Sequence, residues 1–449
     1  MRRRGPGGTG AVVLCALLAT IWAAGWLAGC EGSAPKSSAS ARSPVAEARP
    51  VGGRESSVST ESSVILISLD GTRPADLRED TLPSLTALAA NGARAVRLVP
   101  VSPSNTFPNH VSMVTGVAPD RHGIVNNVFV DPERGTFDKS GDPDWIEVEP
   151  IWSLLRRQGV ESATYYWVGS EGPWHGQLGP REWRKFSSRT SERVKVAQIL
   201  AWLDEPDPEK RPRLVTSWFH GADHAGHLNG PDSDEVRSAL RKQDEAIAEL
   251  IAGLEERGLF ASTTLIFVSD HGMARPARRV DLGAALRKAG VEARVLGIGG
   301  FASVVLEHPE RSAERAVEVA RGLGLEAHRR ESAPTAWRVA NPRFGDVVVR
   351  APIDVAIRGR GRRLEGFHGY DPLEPAMGGI FIAAGRGVAP GQALPELRAI
   401  DVAPTVLALL DTPVPDWMEG RPVAALVPQP GASARLPRGT QAAIEEGSR

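Results

Sequence analysis

One stretch limits what this chain can fold into more than any other: Val64-Ile65-Leu66-Ile67-Ser68-Leu69-Asp70-Gly71. Its apolar, largely β-branched run has no polar alternation, so it predicts a strand covered on both faces, as in a parallel sheet. The run stops on a carboxylate, and the C-terminal edge of such a sheet is where open α/β folds bind ligands. In Asn105-Thr106-Phe107-Pro108-Asn109-His110, a hydroxyl stands two residues ahead of a proline suited to an early helical position, with Val111, Met113 and Val114 following. The spacing predicts a helix beginning near Thr106, where free backbone N–H groups and the helix dipole favour an anion. A carboxylate for a cation and a hydroxyl at an anion-ready helix end together suggest a metal-activated nucleophile.

From Val64 onward, short apolar runs alternate with amphipathic stretches, the pattern of an α/β sheet covered by helices. Helices are expected over Leu82 to Asn91, through Ile151, Leu154 and Leu155, and from about Ser233 to Arg257. Strands are expected at Ala163 to Val168, Leu214 to Phe219, Leu265 to Val268 and Gly379 to Ala384, with a last helix around Val402 to Leu410. Between about Arg275 and Arg363 the texture becomes Arg-rich with shorter elements, which predicts a small domain inserted into the sheet. The expected organisation is a catalytic domain over residues 64–275 and 364–426, an inserted α+β subdomain over 276–363 and a Pro-, Gly- and Ala-rich tail over 427–449.

The N-terminus reads as an export signal: Arg2, Arg3 and Arg4, an apolar segment from Ala11 to Leu27, then Leu27-Ala28-Gly29-Cys30. That tetrad resembles a bacterial lipobox, which implies cleavage of residues 1–30 ahead of a lipidated Cys30 and a chain held on the cell envelope. An uncleaved anchor helix is the other reading of the same apolar segment. Residues 31–63 have the composition of a tether. The chain has two cysteines, and Cys15 lies inside the signal, so the mature protein has no pair to oxidise. A net charge of -1 gives no overall field for nucleic acid or an anionic surface, so any phosphate recognition must be local.

The chemistry-bearing residues recur at expected strand ends. Asp70 follows the first strand, the loop Gly221-Ala222-Asp223-His224-Ala225-Gly226-His227 follows another, and Ser269-Asp270-His271-Gly272 follows a third. An Asp in such a place can also cap a helix, Asp-His-Gly can form a turn, and a lone His368 is often satisfied by a hydrogen bond. Their joint occurrence and order carry the signal. Mixed carboxylate and imidazole donors suit zinc better than magnesium or calcium, and with Thr106 and His368 there are enough side chains for two ions sharing one phosphate.

This set resembles the nucleotide pyrophosphatase/phosphodiesterase family of the alkaline phosphatase superfamily. The matching pieces include Ser68-Leu69-Asp70-Gly71, Asn105 to His110, His122 to Asn127, Trp167-Val168-Gly169-Ser170-Glu171, Asp223 to Pro231, Ser269 to Gly272 and His368-Gly369-Tyr370-Asp371. The resemblance implies an alkaline-phosphatase-like three-layer sandwich with a central, mostly parallel sheet. It implies Thr106 as a transiently phosphorylated nucleophile and two Zn2+ ions, one held by Asp70, Asp270, His271 and Thr106 and the other by Asp223, His227 and His368. Asn127 would donate to a phosphoryl oxygen, and Phe107 would border the leaving-group pocket. Val168 and Pro372 depart from the family pattern, and both are expected at the pocket rim. His220 and His224 fall outside the matching positions, so His224 is expected at the surface or supporting a ligand.

The expected reaction is metal-dependent hydrolysis of phosphodiester or pyrophosphate bonds, with a small phosphodiester or a nucleotide as substrate. Phosphomonoester or phosphonate hydrolysis, or a non-catalytic binding lipoprotein, are the alternatives. The segments around Thr106, Asn127 and Asp223 contain no Lys or Arg, and Arg73 and Arg121 are expected to be structural or at the surface. A neutral donor such as Asn127 suits the single charge of a diester, while Phe107 and Trp167 offer an apolar wall to the leaving group.

Overall fold

In the computed structural model, residues 62–358 and 363–427 are described. The expected signal, Cys30, nearly all of the tether and nearly all of the tail lie outside the described residues.

The first strand, β1 (Ser63–Leu69), forms where the apolar run predicts it. Alternation along the pleat sends Ile65, Ile67 and Leu69 into one core and Val64 and Leu66 into another. The sheet is thus buried on both sides, which is why the run shows no polar alternation. The other strands are β2 (Ala93–Ala95), β3 (Ser162–Tyr165), β4 (Glu182–Arg184), β5 (Leu214–Phe219), β6 (Thr263–Val268), β7 (Phe381–Gly385) and β8 (Gln392–Leu394). They pair in the order β8-β2-β7-β6-β1-β5-β3-β4. Only β7 runs antiparallel to its neighbours, so the sheet is mixed and mostly parallel.

The flanking helices are α1 (Pro83–Ala90), α2 (Thr106–Thr115), α3 (Ile151–Arg157), α4 (Glu192–Leu203), α5 (Gly221–Asn229), α6 (Asp234–Glu256) and α7 (Val402–Leu409). Leu85 of α1, Ile199 of α4 and Ile247 and Leu250 of α6 pack with the Ile65 side of the sheet. Met113 of α2, Trp152 of α3 and Val406 of α7 pack with the Val64 side. Truncating a buried residue of β1, such as Ile67→Ala, should cost roughly 2–5 kcal/mol, because the surrounding layers only partly collapse into the cavity.

Two elements differ from expectation. The strand expected to reach Val168 ends at Tyr165, because Tyr166 adopts a left-handed φ of 62° that no strand can continue through. The segment read as an acid-bearing loop after β5 is helix α5. Its two glycines and sparse apolar residues give little helical signal, yet Gly226 has a packing reason. A Cβ there would lie 2.5 Å from Met273 Sδ, so a bare backbone lets the helix sit against that side chain.

The inserted region carries a four-stranded antiparallel sheet made of Ala293–Leu296, Phe301–Leu306, Glu326–Arg329 and Val347–Arg350. Helices Leu282–Lys288 and Pro309–Gly322 supply Leu282, Leu286, Ala316 and Val317 to a core shared with Val304, Val347 and Val349. Ala274, Phe367, Tyr370 and Met377, which lie outside 276–363, belong to the same core. From the insert, Phe301, Phe344 and Val348 join Phe129, Phe137 and Trp145 in the large core of the catalytic layer.

Candidate active site and metal centre

Strands β6, β1 and β5 are adjacent and parallel, so their C-terminal ends open at one edge of the sheet. Asp70 follows β1, Asp270 and His271 follow β6, and α5 carries Asp223 and His227 just beyond β5. The i,i+4 spacing on α5 puts the last two side chains on one face, with His227 Nε2 3.4 Å from Asp223 Oδ1. His368 arrives from the turn that follows the insert, its Nε2 3.2 Å from His227 Nε2. Thr106 is the first residue of α2, as expected, and its Oγ1 lies 3.2 Å from His271 Nε2.

The seven residues therefore converge in two groups. Asp70 and Asp270 stand 3.5 and 3.3 Å from His271 Nε2, beside Thr106. Asp223, His227 and His368 form the second group, and Asp223 also lies within ligand-atom reach of Asp70 and His271. Asp223 is thus placed between the groups rather than at the far side of one. A further group among the described residues, Glu292, Glu307 and His308, is exposed on the insert.

The donor atoms fit a cation. Asp70 Oδ1, Asp270 Oδ2 and Asp223 Oδ1 are buried without a hydrogen-bond partner. Burial, then the neighbouring Asp270 and Asp223 carboxylates, pushes the Asp70 carboxyl well above the usual range. Like charges this close require a cation or a proton to coexist. Each imidazole is oriented through Nδ1: His271 bonds Gly272 O at 2.9 Å, His227 bonds Gly366 O at 2.8 Å, and His368 bonds Ser104 O at 3.1 Å. A carbonyl acceptor fixes the proton on Nδ1 and leaves the Nε2 lone pair facing the centre, the arrangement metal-ligating histidines use. Burial holds His368 well below the usual imidazole range, which keeps that lone pair free of a proton.

Supporting bonds tie the groups to the fold. Trp218 Nε1 donates to Asp70 Oδ2 at 2.8 Å, and Gly71 N donates to Asp270 Oδ1 at 3.3 Å. His368 Nδ1 also bonds Asn105 Oδ1 at 2.8 Å, and Asn105 Nδ2 in turn donates to Asn126 Oδ1 at 2.8 Å. Asn127 Oδ1 accepts from Phe107 N at 2.9 Å, so what Asn127 has left for a ligand is its amide N–H groups.

A cavity of about 270 Å³ opens beside Asp70, Thr106, Asn127 and Asp223. Phe107 and Trp167 line it, as the apolar-wall reading requires, although Trp167 is only 2% exposed and its indole N–H donates to His110 O. Sequence reasoning missed most of the wall: Tyr166, Phe186 and Trp218 also line it, with Phe186 stacked on Trp218 at 5.0 Å. His220 and His224 are there too, His224 exposed at its mouth. The position of Trp218 and His220 at the end of β5 was a usable signal, since that edge was already marked by Asp223.

The expectation of no basic side chain at the site fails at Lys139, which lines the cavity. It follows the hairpin Val128–Asp131/Gly135–Asp138, whose return brings Lys139 N to Asn127 O at 3.1 Å. Arg73 and Arg121 are structural as expected, paired with Asp76 and Asp232 and with Glu419. Val168 lines the cavity, but Pro372 does not; it borders a separate cleft with Arg338, Arg350 and Arg398.

Comparison with known proteins identifies a family and a fold. The sequence profile of the family described as type I phosphodiesterase / nucleotide pyrophosphatase matches residues 64–371. A Schizosaccharomyces pombe protein named as an uncharacterized pyrophosphatase/phosphodiesterase is 33% identical over 378 residues, 79% of this chain and 78% of its own length. The human ectonucleotide pyrophosphatase/phosphodiesterase family member 1 is 36% identical over 216 residues, 46% of this chain and 23% of that longer protein. Among solved structures, murine ectonucleotide pyrophosphatase/phosphodiesterase 5, an inactive threonine-to-alanine form in complex with AMP, superposes with a TM-score of 0.73 at 26% identity, over 79% of this chain and 96% of that one.

Proposed function

The chain belongs to the type I phosphodiesterase / nucleotide pyrophosphatase family of enzymes and has its alkaline-phosphatase-like fold, and on that premise we propose that it hydrolyses phosphodiester or pyrophosphate bonds of nucleotide-type substrates through a phospho-Thr106 intermediate. The observation that carries this reading is Thr106 Oγ1 at the start of α2, 3.2 Å from His271 Nε2 and beside unpartnered Asp70 and Asp270 oxygens. The inactive threonine-to-alanine form of the murine neighbour supports a threonine in that role, and its AMP supports a nucleotide.

Two zinc ions are proposed, one held by Asp70, Asp270, His271 and Thr106 and the other by Asp223, His227 and His368. When bound, they lower the pKa of the nucleophile and neutralise phosphoryl charge. The chain's own residues do the rest. The helix start holds the Thr106 oxygen toward the cavity, and the positive end of the helix dipole favours the anionic phosphoryl group. Asn127 donates its amide to a phosphoryl oxygen, and Asn105 keeps the His368 ring turned so that Nε2 faces the centre. Phe107, Tyr166 and Phe186 present aromatic surface to the leaving group, which suits a nucleoside.

Lys139 adds one ammonium, which suits a second phosphate group or the extra charge of a monoester. The test compares kcat/KM for paired p-nitrophenyl diester and monoester substrates, with and without added zinc. A higher kcat/KM for the diester is expected, and a clear preference for the monoester would move the protein to the phosphatase branch.

We also propose export and lipid anchoring on Cys30, supported by Leu27-Ala28-Gly29-Cys30 behind its charged and apolar segments. The human relative is named an ectonucleotide pyrophosphatase/phosphodiesterase, and among the described residues no helix is long and apolar enough to cross a membrane. Cys30→Ser should change mass and fractionation while leaving activity in place; unchanged membrane retention would end the lipoprotein reading.

A further inference from the structure

One loop of the insert, Gly297-Ile298-Gly299-Gly300 between its strands Ala293–Leu296 and Phe301–Leu306, abuts the His368 turn itself, while Arg279 and Arg350 bond the residues flanking that turn. Gly300 N donates to His368 O at 2.9 Å, and Gly300 O accepts from Ala351 N at 2.9 Å. Gly299 exchanges two backbone bonds of 2.9 Å with Ile357. There is no room for a side chain. A Cβ at Gly299 would lie 2.4 Å from His368 O, and one at Gly300 would lie 2.3 Å from Tyr370 N. These are backbone atoms, which cannot swing aside as a flexible side chain can.

The same turn is held from the opposite direction. His368 Nδ1 bonds Ser104 O and Asn105 Oδ1, and Gly369 N donates to Ser104 O at 3.0 Å. Gly369 has a φ of 89°, and a Cβ on it would meet Asn105 Oδ1 at 2.7 Å. His368-Gly369-Tyr370 is therefore gripped between the approach to α2 and the insert's glycine loop, and Tyr370 is buried in the insert's own core. Asp70 and Asp270, in contrast, take their supporting bonds from Trp218 and Gly71 of the central layer.

We propose that the inserted subdomain is the positioning element for His368, and through it for the ion of the Asp223, His227 and His368 group, acting through the contact of Gly299 and Gly300 with the His368 turn. This rests on the two-ion reading above. The insert then sets chiefly how tightly one ion is held, while the other group is anchored mainly on the central strands and touches the gripped turn only where the His271 ring stacks on His368 at 3.8 Å. Losing a supporting contact of this kind typically weakens metal binding by roughly 10- to 100-fold.

The test is a zinc titration of the metal-stripped full-length protein, wild type against Gly300→Ala, with Gly290→Ala as control. Gly290 lies in the same subdomain at a φ of 73°, and a Cβ there meets nothing within 4 Å. Gly300→Ala is expected to weaken one of two ions at least about 10-fold and leave the other within about threefold, while Gly290→Ala leaves both unchanged. Equal weakening of both ions, or of neither, in a folded Gly300→Ala protein would overturn the inference. Should that variant not fold, amide exchange in the wild type decides: zinc should slow exchange at Gly300 as well as at Gly369 and Tyr370. An unaffected Gly300 amide is the overturning result there. Wild-type protein that takes up fewer than two ions would instead remove the two-ion reading itself.

Discussion

The two ligand groups that meet at Thr106 are built from different material. Asp70, Asp270 and His271 grow from the ends of two adjacent central strands and are almost wholly buried. Asp223 and His227 ride on one turn of a helix with side chains 16% and 20% exposed, and His368 comes from a turn braced by a different subdomain. Strand ends hold the first group through the pairing of the sheet itself, whereas the second group depends on the packing of a helix and on a turn gripped by the insert's glycine loop. The difference teaches where the nucleophile is placed: Thr106 leans on the buried, sheet-built group, and the helix-and-turn group lies on the more open side.

The largest expected effect tests the sheet-built side. Thr106→Ala should reduce turnover by on the order of 10⁴-fold or more, since the group that accepts the phosphoryl is gone. Zinc content should stay close to wild type, because three other ligands remain in that group. Near wild-type turnover would show that the nucleophile lies elsewhere.

Next, Asp270→Ala and His227→Ala should each remove one ion and roughly 10³-fold or more of the rate, through lost charge stabilisation. The comparison predicts an asymmetry. His227→Ala should lose its ion and keep the other, while Asp270→Ala should also disturb Thr106. Metal analysis of both proteins against phosphothreonine trapping would show it, and identical behaviour would erase the distinction.

A smaller effect is expected at Trp218→Phe, which deletes the indole donor to Asp70 while keeping an aromatic wall. Zinc affinity of the sheet-built group should fall roughly 10- to 100-fold, and that of the helix-built group should hold. A competitive chelator titration measures both.

The smallest concerns Lys195, fully buried behind the cavity, where its ammonium donates to Trp218 O at 2.8 Å and lies over the Tyr166 ring. Burial pushes its pKa down to about 8, against Glu192, which pulls it up. The unfolded chain keeps this proton to a higher pH, so the charged form destabilises the fold below pH 8, and that penalty is relieved as pH rises toward about 10. The relief should be at most about 3 kcal/mol. Thermal melts of wild type and Lys195→Met across pH 7 to 10 should converge or cross, and parallel curves would remove Lys195 as the cause.

Much of this was legible because it is local. Asp70, Asp270 and His271 announce themselves at the ends of apolar runs, and Thr106 sits at a recognisable helix start. Helix α5 was not legible, because its two glycines weaken the helical signal, and the reason for Gly226 is the close approach of Met273, a contact between distant parts of the sequence. Lys139 and Phe186 reach the cavity from loops with no pattern of their own, so nothing in their neighbourhood marks them. Tyr166 was hidden by its own chemistry: an aromatic residue after a strand reads as more strand, yet its φ is 62° and its side chain meets Thr190 and Lys195, contacts from distant sequence.

The placement of β1 between β5 and β6 has a consequence for how the chain reaches its native state. A centre assembled from Asp70 and His368 joins positions roughly 300 residues apart, so it does not exist until the slow, long-range pairings are complete. Contacts that form after the rate-limiting step hold back escape from the native basin without hastening arrival. Zinc should therefore lengthen the lifetime of the folded protein and leave its refolding rate almost untouched.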